Sequence, residues 1–127
     1  MAKFSLKVSD IVDIRVSASK LFDSDQIRAS LAFRLAKFQK QVIDNYNNYV
    51  EKRDAALKKY GKPGERPGTY EFELDAQEKF ESENKELLGL EIEVESDQFK
   101  LEEFGDVIGI PASAFTTFLR VGIIVDN

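Results

Sequence analysis

Cysteine and histidine are both absent from this sequence, and together the two absences exclude disulfides, thiolate chemistry, most zinc sites and imidazole acid–base catalysis. No run of about 18 apolar residues exists for a membrane span, and the first eight residues lack the apolar stretch of a signal peptide. A cytoplasmic location is therefore expected. Excess basic charge is missing too: the formal net charge is -5 and the isoelectric point about 4.9. A general binder of phosphate backbones needs a basic surface, so nucleic acid is not an expected partner. Proline and glycine are few, at three and seven residues, and residues 61–68 hold two of the prolines and three of the glycines.

What remains is a chain of 127 residues, 43% hydrophobic and 32% charged, enough for one modest core and too apolar for disorder. One domain over residues 1–127 is expected. Phe4 to Val8 alternates apolar and polar as a half-buried strand does, with Ser9 offering a helix N-cap. From Asp10 to Phe22, Ile11, Ile14, Ala18 and Leu21 recur at helical spacing. A strand also fits Val12, Ile14, Val16 and Ala18, but helix is the preferred reading. Ser24 then suits the cap of a second helix, with Asp25 at the positive end of its dipole.

The strongest periodicity follows. Ile27, Leu31, Leu35, Phe38, Val42, Tyr46, Tyr49, Arg53, Leu57 and Tyr60 step by three or four with no breaker between them, which predicts one helix over about 25–60. At 1.5 Å per residue it would run on the order of 50 Å, longer than a domain of this size is wide. It must project or find a partner. Gly61 is placed to end it, with Lys58 and Lys59 at the negative end of the dipole. An exposed connector is expected over 61–68. Tyr70, Phe72 and Leu74 alternate as a strand. Asp75 can cap a helix over 76–88 with an apolar face of Ala76, Phe80, Leu87 and Leu88, and Gly89 closes it. Leu90, Ile92 and Val94 repeat the alternation of 69–74, so these two segments are expected to pair, with Glu91, Glu93 and Glu95 needing an offset register or a basic neighbour. Phe99 and Leu101 are read as continuing that strand, Leu101 to Asp106 as a turn, and Pro111 as the first residue of a helix through Ala114, Phe115, Phe118 and Leu119. A buried tail of Val121, Ile123, Ile124 and Val125 follows. The predicted class is helix-dominated α+β: a long and a shorter helix forming a hairpin, with a small antiparallel sheet.

Chemistry is hard to place on this pattern. Glu91, Glu93, Glu95 and Asp97 are oxygen donors, but strand alternation spreads them along a face, and no calcium-loop spacing is present. A solvated face is the expected reading, with no metal and no cofactor. Gly61-Lys62-Pro63-Gly64 superficially suggests a phosphate loop, yet a helix precedes it and a strand follows, the reverse of what such a loop needs. Ser17-Ala18-Ser19-Lys20 spells a serine–lysine pair without its context. Catalysis is not expected. The aromatic residues Phe33, Phe38, Tyr46, Tyr49 and Tyr60 of the long helix suit packing against another helix. Phe33, off the main stripe, suits an interface. Lys37, Lys40, Lys52, Arg53, Lys58 and Lys59 share the helix and suit an acidic partner or a small anion.

The segments Ala32-Phe33-Arg34-Leu35-Ala36, Arg53 to Gly61 ending in Lys58-Lys59-Tyr60-Gly61, Glu86-Leu87-Leu88 leading into Glu91-Ile92-Glu93-Val94, and Ile110-Pro111-Ala112 resemble a small family of uncharacterised proteins of bacteriophages and prophages of Gram-positive bacteria. The likeness covers about three quarters of the chain. It implies a phage setting, with the host cytoplasm or the virion as location, and supplies no site. A non-enzymatic accessory protein that self-associates or binds a host or phage protein through the long helix is the expected function, either as an assembly component or as an antagonist of host defence. The interaction residues expected are Phe33, Arg34, Phe38, Tyr46, Tyr49, Arg53, Lys59 and Tyr60. The alternative is a sponge for a small anionic signalling nucleotide, held at an oligomer interface by Arg34, Arg53 or Lys59 with a stacking tyrosine.

Overall fold

A computed structural model describes residues 2–105 and 112–126; the reading of Pro111 as a helix start lies outside them. Its elements are β1 (Ala2–Lys7), α1 (Val8–Ser17), α2 (Ser19–Phe22), α3 (Ala29–Tyr60), β2 (Lys62–Pro63), β3 (Tyr70–Glu71), α4 (Leu74–Gly89), β4 (Glu91–Ser96), β5 (Phe99–Lys100), a 3-10 turn (Leu101–Phe104), α5 (Ser113–Val121) and β6 (Ile124–Val125). The class is helix-dominated α+β, as the periodicity implies.

Helix wins over strand in the ambiguous segment because Ile11, Ile14, Ala18 and Leu21 all reach zero exposure on one side of α1 and α2. The capping differs from expectation. Helix α1 begins at Val8, and the carboxylate of Asp10 accepts from the Lys7 N–H at 3.0 Å, so Asp10 closes the first turn and Ser9 is not the cap. Helix α3 starts at Ala29, four residues later than Ser24 suggests. Ser24 Oγ instead accepts from Gln26 N–H at 3.2 Å, in a turn from which Ile27 packs onto the core.

Helix α3 is unbroken for 32 residues, about 48 Å at the standard rise. Its N-terminal half carries the core stripe Leu31, Leu35, Phe38 and Val42, packed with α1, α2, β4 and Phe118 of α5. Beyond it only Tyr49 and Ala56 are buried. There α4 folds back on α3 to form the expected hairpin, tied by Tyr49 Oη donating to Asn84 Oδ1 at 2.8 Å and Tyr60 Oη donating to Glu83 Oε1 at 2.7 Å. Not one residue of α4 is fully buried. Its N-cap is Glu73, with Asp75 in the first turn instead. Gly61 ends α3 in an extended conformation, its N–H on Leu57 O at 2.8 Å. A Cβ there would come within 2.9 Å of Leu57 O and 3.0 Å of the Phe72 ring.

The expected pairing of 69–74 with 90–95 is corrected. Strand β3 pairs with β2 across the connector, and β4 pairs antiparallel with β1. Charge accounts for the choice, because two acidic faces would have met in the expected pairing. In the observed register Lys3 stands opposite Glu95 and Lys7 opposite Glu91, and Lys3 Nζ lies 3.5 Å from Glu93 Oε1. Strand β5 does not prolong β4; it pairs in parallel with β6, which brings Phe99, Ile123 and Ile124 into the core.

Candidate functional site

Opposite its core stripe, α3 presents Ala29, Phe33, Ala36, Lys37 and Lys40, all exposed. They share a face because they recur every three or four residues. Phe33 is 68% exposed, with Lys37 Nζ 5.5 Å from its ring centroid. Beside it, Ala36, Gln39, Lys40, Ile43 and Asp44 line a groove of about 250 Å³. No acidic residue occurs between Asp25 and Asp44, while Arg28, Arg34, Lys37 and Lys40 lie in that stretch. An acidic chain thus carries a local basic and aromatic surface, with small alanines that allow close approach.

Of the cations there, Arg34 is committed within the chain. Its Nε donates to Asp97 Oδ2 at 3.0 Å and its Nη1 to Glu103 Oε1 at 2.8 Å, with the guanidinium 4.8 Å from the Phe99 ring centroid. Glu103 titrates below the usual carboxylate range, first because it accepts from the Lys100 backbone N–H and then because of Arg34. The Arg34 pKa is raised in turn, chiefly by the hydrogen bond to Glu103.

The other expected site residues do not converge. Phe38 is fully buried and belongs to the core. Tyr46 is half-buried under Arg15, and Tyr49 is buried on α4. Arg53 faces Asp54 at 3.4 Å and lies over Tyr49. Lys59 and Tyr60 both hydrogen-bond Glu83, whose pKa is lowered first by the tyrosine hydroxyl and then by Lys59. Along α3, Arg34 and Lys59 stand about 38 Å apart at 1.5 Å per residue, so no single small anion bridges them within one chain.

Glu91, Glu93 and Glu95 lie on the solvent face of β4. Among the described residues no group of three or more acidic side chains converges on a metal-sized site, and no helix is long and apolar enough to cross a membrane. A second groove, about 310 Å³, opens where α3, α4 and β4 meet, over Val8, Tyr49, Leu87 and Ile92. Two polar contacts escaped the sequence reading. Gln41 bonds the backbone of β4, and Arg120 Nη2 reaches the buried Asp10 carboxylate at 2.6 Å, which fastens α5 to α1. A glutamine on a helix and a lone arginine give no local signal of such distant partners.

Fold and surface together define a helix-dominated α+β domain with a long helix half committed to its core. No protein-family model, curated protein or solved structure matches the chain.

Proposed function

We propose that this chain is a non-enzymatic interaction protein that docks onto another protein through the outer face of α3. The observation that carries the reading is Phe33, a large aromatic 68% exposed on the same helix face as Lys37 and Lys40, in a stretch of helix without acids. Aromatic side chains are enriched at the centres of protein interfaces, and charged residues such as these lysines suit the polar rim. The charge favours an acidic surface as occupant, either on a different protein or on a second copy, whose α4 carries Asp75, Glu78, Glu81 and Glu86. On the phage resemblance, such a protein would act in an infected host cell, as an assembly component or as an antagonist of a host defence protein.

Light scattering across a concentration series, on the native chain and on Phe33→Asp, tests the self-associating form. Co-purification from infected cells with the same pair tests the heteromeric form. A native chain that stays monomeric and retains nothing that Phe33→Asp loses would refute the reading. Detection in purified particles would favour assembly, and rescue of phage growth on a defence-bearing host would favour antagonism. The small-anion reading needs Arg34, Arg53 or Lys59 free for a ligand, and each is engaged by a separate carboxylate within the chain; thermal shifts against a nucleotide panel test it.

A further inference from the structure

The hydrogen bonds around the β1–β4 pair fix which backbone groups face outward. Val8 N–H donates to Leu90 O at 2.9 Å, so the even-numbered residues of β1 exchange bonds with β4 in the register Leu6 to Ile92 and Phe4 to Val94. Odd-numbered residues therefore point away. Lys7 N–H turns to Asp10 at 3.0 Å, and on the other strand Glu95 turns outward. At Glu95 that outer edge of β4 is closed. Gln41 Nε2 donates to Glu95 O at 2.6 Å, and Glu95 N–H donates to Gln41 Oε1 at 2.9 Å. The outer edge of β1 has no such cover. Among the described residues, the N–H and C=O groups of Lys3 and Ser5 have no partner on that side.

We propose that the outer edge of β1 is a docking site for an extended segment of another protein that carries acidic residues at alternate positions. Strand addition to an open edge supplies backbone hydrogen bonds, and the flanking side chains select the partner. Here the flanking side chains on the solvent face are Lys3, Ser5 and Lys7. Strand β4 shows what this row accepts, since it sets Glu95 and Glu91 opposite the two lysines. On the other face Phe4 is only partly buried at the sheet edge, so an apolar residue of the incoming strand would extend the cover over it. A second copy of β1 is the wrong occupant. Antiparallel pairing centred on Ser5 would set Lys3 of each copy against Lys7 of the other, and like charges directly opposite are destabilising. This edge is separate from the outer face of α3 and stands or falls independently of it.

The test uses the whole chain and a fluorescein-labelled peptide with the sequence of residues 90–96, which alternates glutamate with leucine, isoleucine and valine. Saturable binding by anisotropy is expected, with the largest amide shifts at Lys3 and Ser5. Ser5→Pro removes the outward N–H at a backbone angle a strand tolerates and spares the bonds to β4. It should weaken binding up to about tenfold, as the loss of one net hydrogen bond implies, with an unchanged melting temperature. Lys3→Glu should weaken it similarly, which covers the case of a misfolded proline variant. A peptide with lysine in place of each glutamate should also bind more weakly. No binding by the native chain, equal binding by Ser5→Pro and Lys3→Glu, or equal binding of the lysine peptide would overturn the proposal. So would dimerisation of the chain through β1.

Discussion

Gln41 holds Glu95 through both heteroatoms of its carboxamide, donating to the backbone oxygen at 2.6 Å and accepting from the backbone nitrogen at 2.9 Å. A helix side chain thereby stands in for a neighbouring strand. Gln41→Ala should lower stability by about 1 kcal/mol, since the contact is partly solvated. Urea denaturation measures the loss, and amide exchange at Glu95 should quicken while that at Val94 does not.

The Arg34 fork gives a pH dependence with a defined sign. The Glu103 pKa is lowered in the folded chain, so its contribution to stability is complete above the ordinary carboxylate value and fades as the pH falls through the lowered one. Arg34→Met should reduce stability at neutral pH by about 1 kcal/mol or less, because the pairs are part-exposed. It should also flatten the decline of melting temperature with acidity below about pH 4.5, the ordinary value. Parallel melting curves from pH 3 to 7 provide the comparison.

Phe33 and Phe38 lie five residues apart in sequence and have opposite roles. Phe38→Ala should cost about 3–5 kcal/mol, the usual penalty for emptying a core aromatic site. Phe33→Ala should change stability by less than about 0.5 kcal/mol, as exposed substitutions do, while weakening association. A Phe33→Ala variant that unfolds would show that the residue is packed rather than presented.

The arm formed by α4 and the C-terminal half of α3 should open before the rest of the molecule. Among the described residues α4 buries none fully, whereas Leu35, Phe38 and Val42 are nearly inaccessible. Native-state hydrogen exchange should give α4 amides a lower opening free energy than those of residues 35–42. Equal protection along both would contradict the packing described.

Local periodicity made much of this fold legible. Ile11, Ile14, Ala18 and Leu21 fall on one helical face by their spacing and lie together in the core, and the stripe from Leu31 to Val42 does the same. Pairing was not legible, because Tyr70 to Leu74 and Leu90 to Val94 present the same alternation and no short-range feature selects their partners. The decisive contacts, Lys3 with Glu93 and Val8 with Leu90, span more than eighty residues. The late start of α3 was hidden by Ser24, a sound cap that closes a turn instead. At the candidate site, Phe33 stood out by lying off the core stripe. The commitments of Arg34 and Lys59 to carboxylates were not readable, since Asp97, Glu103 and Glu83 come from other elements, whereas the partner of Arg53, Asp54, is its neighbour in sequence.

The most direct test of the docking role of α3 is a photo-crosslinking scan, with benzoylphenylalanine placed singly at Phe33, Ala36 and Lys40 and, as controls, at Ala55 and Lys58 in cells where the protein acts. The expected result is one discrete adduct, shared by the first three positions, absent from the controls and lost when Lys37→Glu is added. No adduct at the first three positions, or adducts spread evenly over all five, would contradict the assignment of this face as the surface through which the protein works.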